Sequence, residues 1–276
     1  IKPQIKEDGY IYSDGTTILG ADDKAGIAAL FEMARRLKEE SIQHGTIQFI
    51  ITAGEEDGLV GAKELEKDKI IAKYGYAVDS DGKVGGLVVA APYQAKIRVK
   101  ILGKTAHAGV APEKGISAIT LAAKAIAKMK LGRIDEETTA NIGRFEGGKA
   151  TNIVCDEVFI LAEARSINKE KLDEQTNHMK ETFETVAQNY GGRAEVEVEL
   201  MYPGFSVEEN EVVVKVAKEA VRQIGRTPVV GVSGGGSDAN IISSFGIPTV
   251  NLSVGYEEIH TTNEKMPIEQ VEKLAD

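Results

Sequence analysis

Apolar residues recur at helical spacing from Asp23 onward, at Ile27, Leu30, Phe31, Ala34 and Leu37, behind an apolar approach of Thr17, Ile18 and Leu19. This periodicity predicts a helix whose entry holds Asp22 and Asp23. The run Thr46 to Thr52 is instead continuous, apolar and β-branched, and predicts a buried parallel strand. It ends in Ala53-Gly54-Glu55-Glu56-Asp57-Gly58, with a short helix expected from Ala62 to Leu65. Tyr74 to Val78 predicts another short strand, delivering Asp79 into the polar loop Ser80-Asp81-Gly82. Both strands end in carboxylates, and in open α/β sheets that edge is where ligands bind. Ahead of Gly20, the turn dipeptides Asp8-Gly9 and Asp14-Gly15 predict strand pieces.

The pattern then changes. Ala95 to Leu102, Thr138 to Phe145, Asn152 to Arg165 and Arg193 to Leu200 read as strands, and Gly115 to Met129 and Lys169 to Tyr190 as helices. Their order is βαββαβ, which predicts a two-layer ferredoxin-like domain. Apolar faces support the helices: Ile116, Ile119, Ala123 and Ile126 in the first, Leu172, Met179, Phe183, Val186 and Tyr190 in the second. Ala91-Pro92 and Tyr202-Pro203-Gly204 punctuate its borders, so residues 93–205 read as an insertion into an α/β/α domain made of residues 1–92 and 206–276. That outer domain resumes with an amphipathic helix (Val212, Val216, Ala217, Ala220, Val221, Ile224). A strand over Thr227 to Val232, a helix over Ser237 to Ser244 and a strand over Pro248 to Val254 follow.

A net charge of -10 and a pI near 5.1 argue against nucleic acid or an anionic membrane as partner. A lone cysteine, Cys155, excludes an intrachain disulfide and a thiolate metal cage and fits a reducing compartment. With no signal peptide and no apolar run long enough to span a bilayer, a cytoplasmic, soluble protein is expected. The chain starts at Ile1 and its last helical pattern stops at Asp276, so a fragment is expected.

The carboxylates Asp22, Glu55, Glu56 and Asp79, with His260 in Tyr256-Glu257-Glu258-Ile259-His260-Thr261-Thr262, all fall at loop positions flanking one sheet edge. Carboxylates plus imidazole suit Zn, Mn or Co. Each also has a plainer reading: Asp22-Asp23 as a helix N-cap, Glu55-Glu56 as a solvated charge pair, His260 as a surface group. Arg165 and Asn152 are candidates for gripping a substrate's polar ends, Arg165 equally for a surface ion pair. Gly235 and Gly236, in the glycine run that opens the helix at Ser237, could offer N–H groups to an oxyanion or carboxylate. His44 and His178 read as surface residues.

In this order, GADDKAG, TAGEEDG, YAVDSDG, GKTAHAG, SGGGSDAN and EEIHTTNE make the chain resemble, nearly end to end, the cocatalytic dizinc peptidases of the superfamily that includes peptidase T, carboxypeptidase G and aminoacylase, and peptidase T-like members most. The resemblance implies that Asp22 bridges two zinc ions, that Glu56 and His260 complete the second site, that Asp79 serves the first, and that Glu55 is the general base. It implies hydrolysis of short peptides with release of the N-terminal residue, cobalt or manganese being possible substitutes for zinc. Related N-acyl amino acid amidohydrolase or carboxypeptidase activities, and a catalytically silent homologue, are the alternatives. It further implies a lid inserted into the catalytic domain and a homodimer built through it, with His107 reaching the partner's centre to donate to the oxyanion. Some relatives carry an arginine just before the paired glycines where Gly234 stands here, which leaves substrate choice open.

That superfamily also places a His-x-Asp pair shortly before the GADDKAG stretch, and Ile1 to Leu19 contains no histidine. The first site then keeps only Asp22 and Asp79. The expectation is that this chain binds at most one metal well, at the second site, and hydrolyses peptides poorly.

Overall fold

In chain order, β1 (Gln4–Ile5) and β2 (Tyr10–Tyr12) lead into α1 (Ala21–Glu39), and α2 (Val60–Lys63) precedes β3 (Gly75–Ser80) and β4 (Gly86–Ala91). Then come β5 (Tyr93–Leu102), α3 (Ala118–Ile126), β6 (Gly132–Arg133), β7 (Thr138–Gly147), β8 (Glu157–Ser166), α4 (Lys169–Asn189) and β9 (Arg193–Tyr202). The chain closes with β10 (Phe205–Ser206), α5 (Val212–Gln223), β11 (Val229–Val232), α6 (Asp238–Ser244), β12 (Thr249–Ser253), β13 (Lys265–Pro267) and α7 (Ile268–Ala275). The computed structural model describes residues 1–276. It divides the chain into two units, Ile1–Ala91 with Phe205–Asp276, and Pro92–Gly204.

The first unit is α/β. Its larger sheet runs β10-β4-β12-β3, with β11 also paired to β4. The sheet is mixed: β12 lies parallel to β3 and β11 parallel to β4, while β12 and β10 run antiparallel to β4. α5 buries Val213, Val214, Ala217 and Val221, a helical stripe, against Leu87, Val89 and Val250 of this sheet. A small antiparallel sheet, β1-β2-β13, stands beside the chain's entry to α1. Leu19, Ala21, Ala25, Val254, Tyr256 and Met266 form the core there.

α1 packs through small residues. Its buried positions are Ala21, Ala25, Gly26 and Ala29, and a Cβ on Gly26 would stand 2.4 Å from the Val78 carbonyl oxygen. Only glycine lets the helix approach β3 so closely. The bulkier stripe is therefore turned aside: Ile27 and Leu30 line a cavity, and Phe31, expected in the core, is 65% exposed.

Residues 46–52 do not form the expected buried strand: they are irregular, and Ile47, Phe49 and Ile51 are exposed. β-branched composition favours extended backbone, but a ladder needs a neighbour. β3 pairs only with β12, and the other side of β3 faces a cavity of about 360 Å³ that the 48–52 segment also lines. The Gln48 side chain takes the place of a strand partner. Its Nε2 donates to the Lys69 carbonyl at 2.9 Å, and its Oε1 accepts from the Ile71 and Ala72 amides at 2.8 and 3.1 Å.

The second unit is one antiparallel sheet, ordered β6-β7-β8-β5-β9, packed against α3 and α4. Ile97, Val99 and Ile101 of β5 and Val158 and Ile160 of β8 meet Leu121 of α3 and Leu172, Met179 and Phe183 of α4. Ser117 caps α3 by accepting from the Thr120 amide, and Asn168 caps α4 by accepting from Glu170 and Lys171. β8 begins at Glu157, not Asn152, because the backbone of residues 152–155 is bonded elsewhere. The Asn152 carbonyl accepts from Ala108, the Val154 amide donates to Ala106, and the Cys155 carbonyl accepts from Ala118. His178, expected at the surface, is half-buried on α4, its Nε2 enclosed without a hydrogen-bond partner beside buried Met179. His44 is exposed, its ring against the Gly45 carbonyl.

Candidate active site

Asp22 and Asp23 sit in the entry to α1 with non-helical backbone and a cis peptide bond between them. They divide the two readings of this motif. Asp23 Oδ1 accepts from the Gly26 amide at 3.0 Å, so Asp23 is the cap of the regular helix. Asp22 instead reaches the loop near the end of the chain, its Oδ2 3.1 Å from His260 Nε2. Glu56 completes the group, with Oε1 2.8 Å from the same Nε2. One ligand atom from each of Asp22, Glu56 and His260 lies within 4.8 Å of the others.

Glu56 and its neighbour Glu55 ride on a tight turn, where the Glu55 carbonyl accepts from the Gly58 and Leu59 amides. The two side chains differ in environment: Glu56 is exposed and Glu55 is half-buried. Asp79 ends β3. Its backbone is held on both sides by the Asn251 amide of β12, at 3.0 Å each, and its Oδ1 accepts from the Tyr256 hydroxyl at 3.2 Å.

The cleft gathers Asp22, Asp23, Glu55, Glu56, Asp79 and Asp238, with no lysine or arginine along its lining. Burial, with repulsion from Asp22 and Glu55, pushes Asp23 up to about 7 even though the Gly26 amide opposes it. Burial followed by the charges of Glu56, Asp238 and Asp22 pushes Glu55 up to about 7. Asp79 rises to about 9 through burial, repulsion from Asp23, Asp22 and Glu55, and a hydrogen bond with the Asp22 carboxyl. At His260 burial opposes the proton, but the Glu56 and Asp22 carboxylates outweigh it and raise the pKa.

These features fit a metal. Ligand atoms about 2.0–2.2 Å from a tetrahedral zinc stand roughly 3.3–3.6 Å apart, so separations of 2.8 and 3.1 Å need only a small opening. Crowded carboxylates with no lysine or arginine among them are what a divalent cation would relieve.

Other predicted residues fall elsewhere. His107, Asn152 and Arg165 belong to the second unit. His107 is exposed, its Nδ1 accepts from the Gly109 amide at 3.2 Å, and it is bridged to Ile153 next to Asn152. Arg165 forms the ion pair that was its plainer reading, with Nε and Nη2 on Glu163 at 2.9 and 3.2 Å. In the first unit, the Gly235 amide donates to Ser233 Oγ, and Gly236 leads into Ser237, whose capping box with Asn240 starts α6. Two cleft residues escaped the motif reading, Asp238 and Thr52, whose hydroxyl donates to Asp238 Oδ2. The only signal for Asp238 was its place at a helix entry after the glycines.

Residues 2–276 match the profile of Peptidase family M20/M25/M40, and the chain belongs to that family. Among solved structures, aminopeptidase PepT from Bacillus cereus is 69% identical, with a TM-score of 0.95 over 100% of this chain and 74% of that one. A tripeptidase from Staphylococcus aureus is 59% identical, with a TM-score of 0.98 over 99% of this chain and 73% of that one. The YqjE protein of Bacillus subtilis is 66% identical over all 276 residues, which span 74% of its length.

Proposed function

We propose that this chain carries the centre of a zinc-dependent aminopeptidase that releases the N-terminal residue of short peptides, tripeptides foremost. The observation that carries this reading is the convergence of Asp22, Glu56 and His260 within 4.8 Å, with half-buried Glu55 beside them. Its kinship with the Bacillus cereus aminopeptidase and the Staphylococcus aureus tripeptidase supplies the substrate class.

Asp22, Glu56 and His260 would hold one metal well; Asp22 and Asp79, two carboxylates without an imidazole, would hold a second only weakly. Zinc bound there supplies a water of lowered pKa and polarises the peptide carbonyl. Glu55 does the proton work. Half-buried next to the ligand Glu56, it can take a proton from the attacking water and pass it to the departing amine.

The second unit, with its strand order β7-β8-β5-β9 and two helices on one face, supports a ferredoxin-like lid, and we propose in addition that this lid forms a homodimer. In this reading His107 donates to the oxyanion in the partner's centre, while Asn152, Arg165, Gly235 and Gly236 receive the peptide's polar ends. Cobalt or manganese can replace zinc in such a donor set.

Zinc- or cobalt-loaded protein, assayed against tripeptides, dipeptides and N-acetyl amino acids, tests the proposal. Preferential release of the N-terminal residue from tripeptides is expected. Preference for N-acetyl amino acids would overturn it.

A further inference from the structure

A carboxylate that the proton and metal chemistry does not use lies under the metal cluster. Glu264 is 1% exposed, yet neither oxygen is idle: Oε2 accepts from the Gly20 amide at 2.5 Å and Oε1 from the Asp22 amide at 3.0 Å. Gly20 has φ of 71° and Asp22 is non-helical, so neither amide belongs to the regular hydrogen bonding of α1. A buried carboxylate answering two such donors is a charge-assisted clamp on this turn.

Glu264 shares a loop with His260. That loop is closed at its base by reciprocal backbone bonds between Glu257 and Lys265, at 2.9 and 3.1 Å. Inside it the Glu264 amide donates to the Thr261 carbonyl at 3.2 Å, and Lys265 enters β13. One short loop therefore meets Asp22 twice, at the side chain through His260 Nε2 and at the backbone through Glu264 Oε1.

We infer that Glu264 is the positioning residue of the metal centre: it fixes the Gly20–Asp22 turn relative to His260, so that the Asp22 carboxylate is aimed before the metal arrives. The inference rests on the reading of Asp22 and His260 as ligands. It adds that their alignment is set by a side chain that never touches the ion. Outer partners of this kind typically change metal affinity by about 10- to 100-fold when removed.

The test compares the whole chain with Glu264→Gln and Glu264→Asp. Glutamine keeps the size but presents an NH2 group to one of the two amides; aspartate keeps the charge on a shorter stem. Cobalt titration followed by visible absorption should show affinity reduced by about 10- to 100-fold and a shifted spectrum in Glu264→Gln, with partial rescue in Glu264→Asp. In the metal-free chain, hydrogen exchange at the Gly20 and Asp22 amides should quicken in Glu264→Gln while β12 stays protected. Met266→Ala, a buried truncation in the same core, controls for general loosening.

Wild-type cobalt affinity and spectrum in Glu264→Gln, or unchanged exchange at both amides, would overturn the inference. So would an equal loss of cobalt affinity in Met266→Ala. A wild-type chain that binds no cobalt is a different result, and overturns the ligand reading on which the inference stands.

Discussion

His260 Nε2 stands 2.8 Å from Glu56 Oε1, joining a loop near the end of the chain to the turn that follows residues 46–52. Because this atom is also 3.1 Å from Asp22 Oδ2, the imidazole is the hinge of the three-residue group. His260→Ala and Glu56→Ala should each cost metal affinity, and elemental analysis after dialysis reads the loss. Glu55→Ala should retain metal and lose about 10²- to 10⁴-fold in kcat. Equal metal content and equal residual activity in Glu55→Ala and Glu56→Ala would contradict the division of labour.

The crowded carboxyls make stability depend on pH. Asp23 and Glu55 are held up to about 7 and Asp79 up to about 9, whereas such groups titrate near 4 in an unfolded chain. The folded metal-free protein thus binds more protons than the unfolded one between roughly pH 4 and 9. Its stability must fall as pH rises through that window, and raised His260 acts with the same sign. The urea midpoint of chelator-treated protein should be higher at pH 5 than at pH 8, and zinc added at pH 8 should restore it.

The adjacent aspartates should separate cleanly by mutation. At pH 5, where Asp23 is protonated and its repulsion of Asp22 and Asp79 is relieved, Asp23→Ala removes the acceptor of the Gly26 amide and should cost about 1 kcal/mol, seen as a lower urea midpoint in the metal-free chain. Asp22→Ala should leave that midpoint equal or higher, since it removes a charge that repels Asp23 and Asp79, and should abolish metal binding instead.

Gly26→Ala is the most damaging single methyl expected in α1. Its Cβ would lie 2.4 Å from the Val78 carbonyl and 2.4 Å from Asp23 Oδ1, both fixed by their own structure. The helix must back away from β3, at a cost of roughly 1–3 kcal/mol. Gly45→Ala, with open space around its Cβ, should be nearly silent in the same denaturation assay.

Asp22, Glu56 and His260 were legible because each sits in a short polar motif at the end of an apolar element, a feature written locally. The split between Asp22 and Asp23 was not, since both stand at the same helix entry and only the backbone turn between them decides which one caps. Residues 46–52 mislead for a related reason. Composition reports that a segment favours extended backbone, but whether a neighbour pairs with it is a property of the rest of the molecule. Asp238 and Thr52 meet across the first unit, and neither carries a local mark of the other. Phe31 shows the same limit in packing: its period matched a core position, but Gly26 and the alanines decide which face of α1 turns inward.

The tie that Gln48 makes to Lys69, Ile71 and Ala72 carries a consequence for handling the protein in solution. It anchors one point of an uncharged, β-branched heptad, Thr46 to Thr52, whose Ile47, Phe49 and Ile51 are exposed. Such segments are templates for intermolecular cross-β growth. Colloidal stability then depends on long-range repulsion from a net charge of -10, which salt screens. Concentrated samples should hold at low ionic strength and nucleate fibrils as salt is raised.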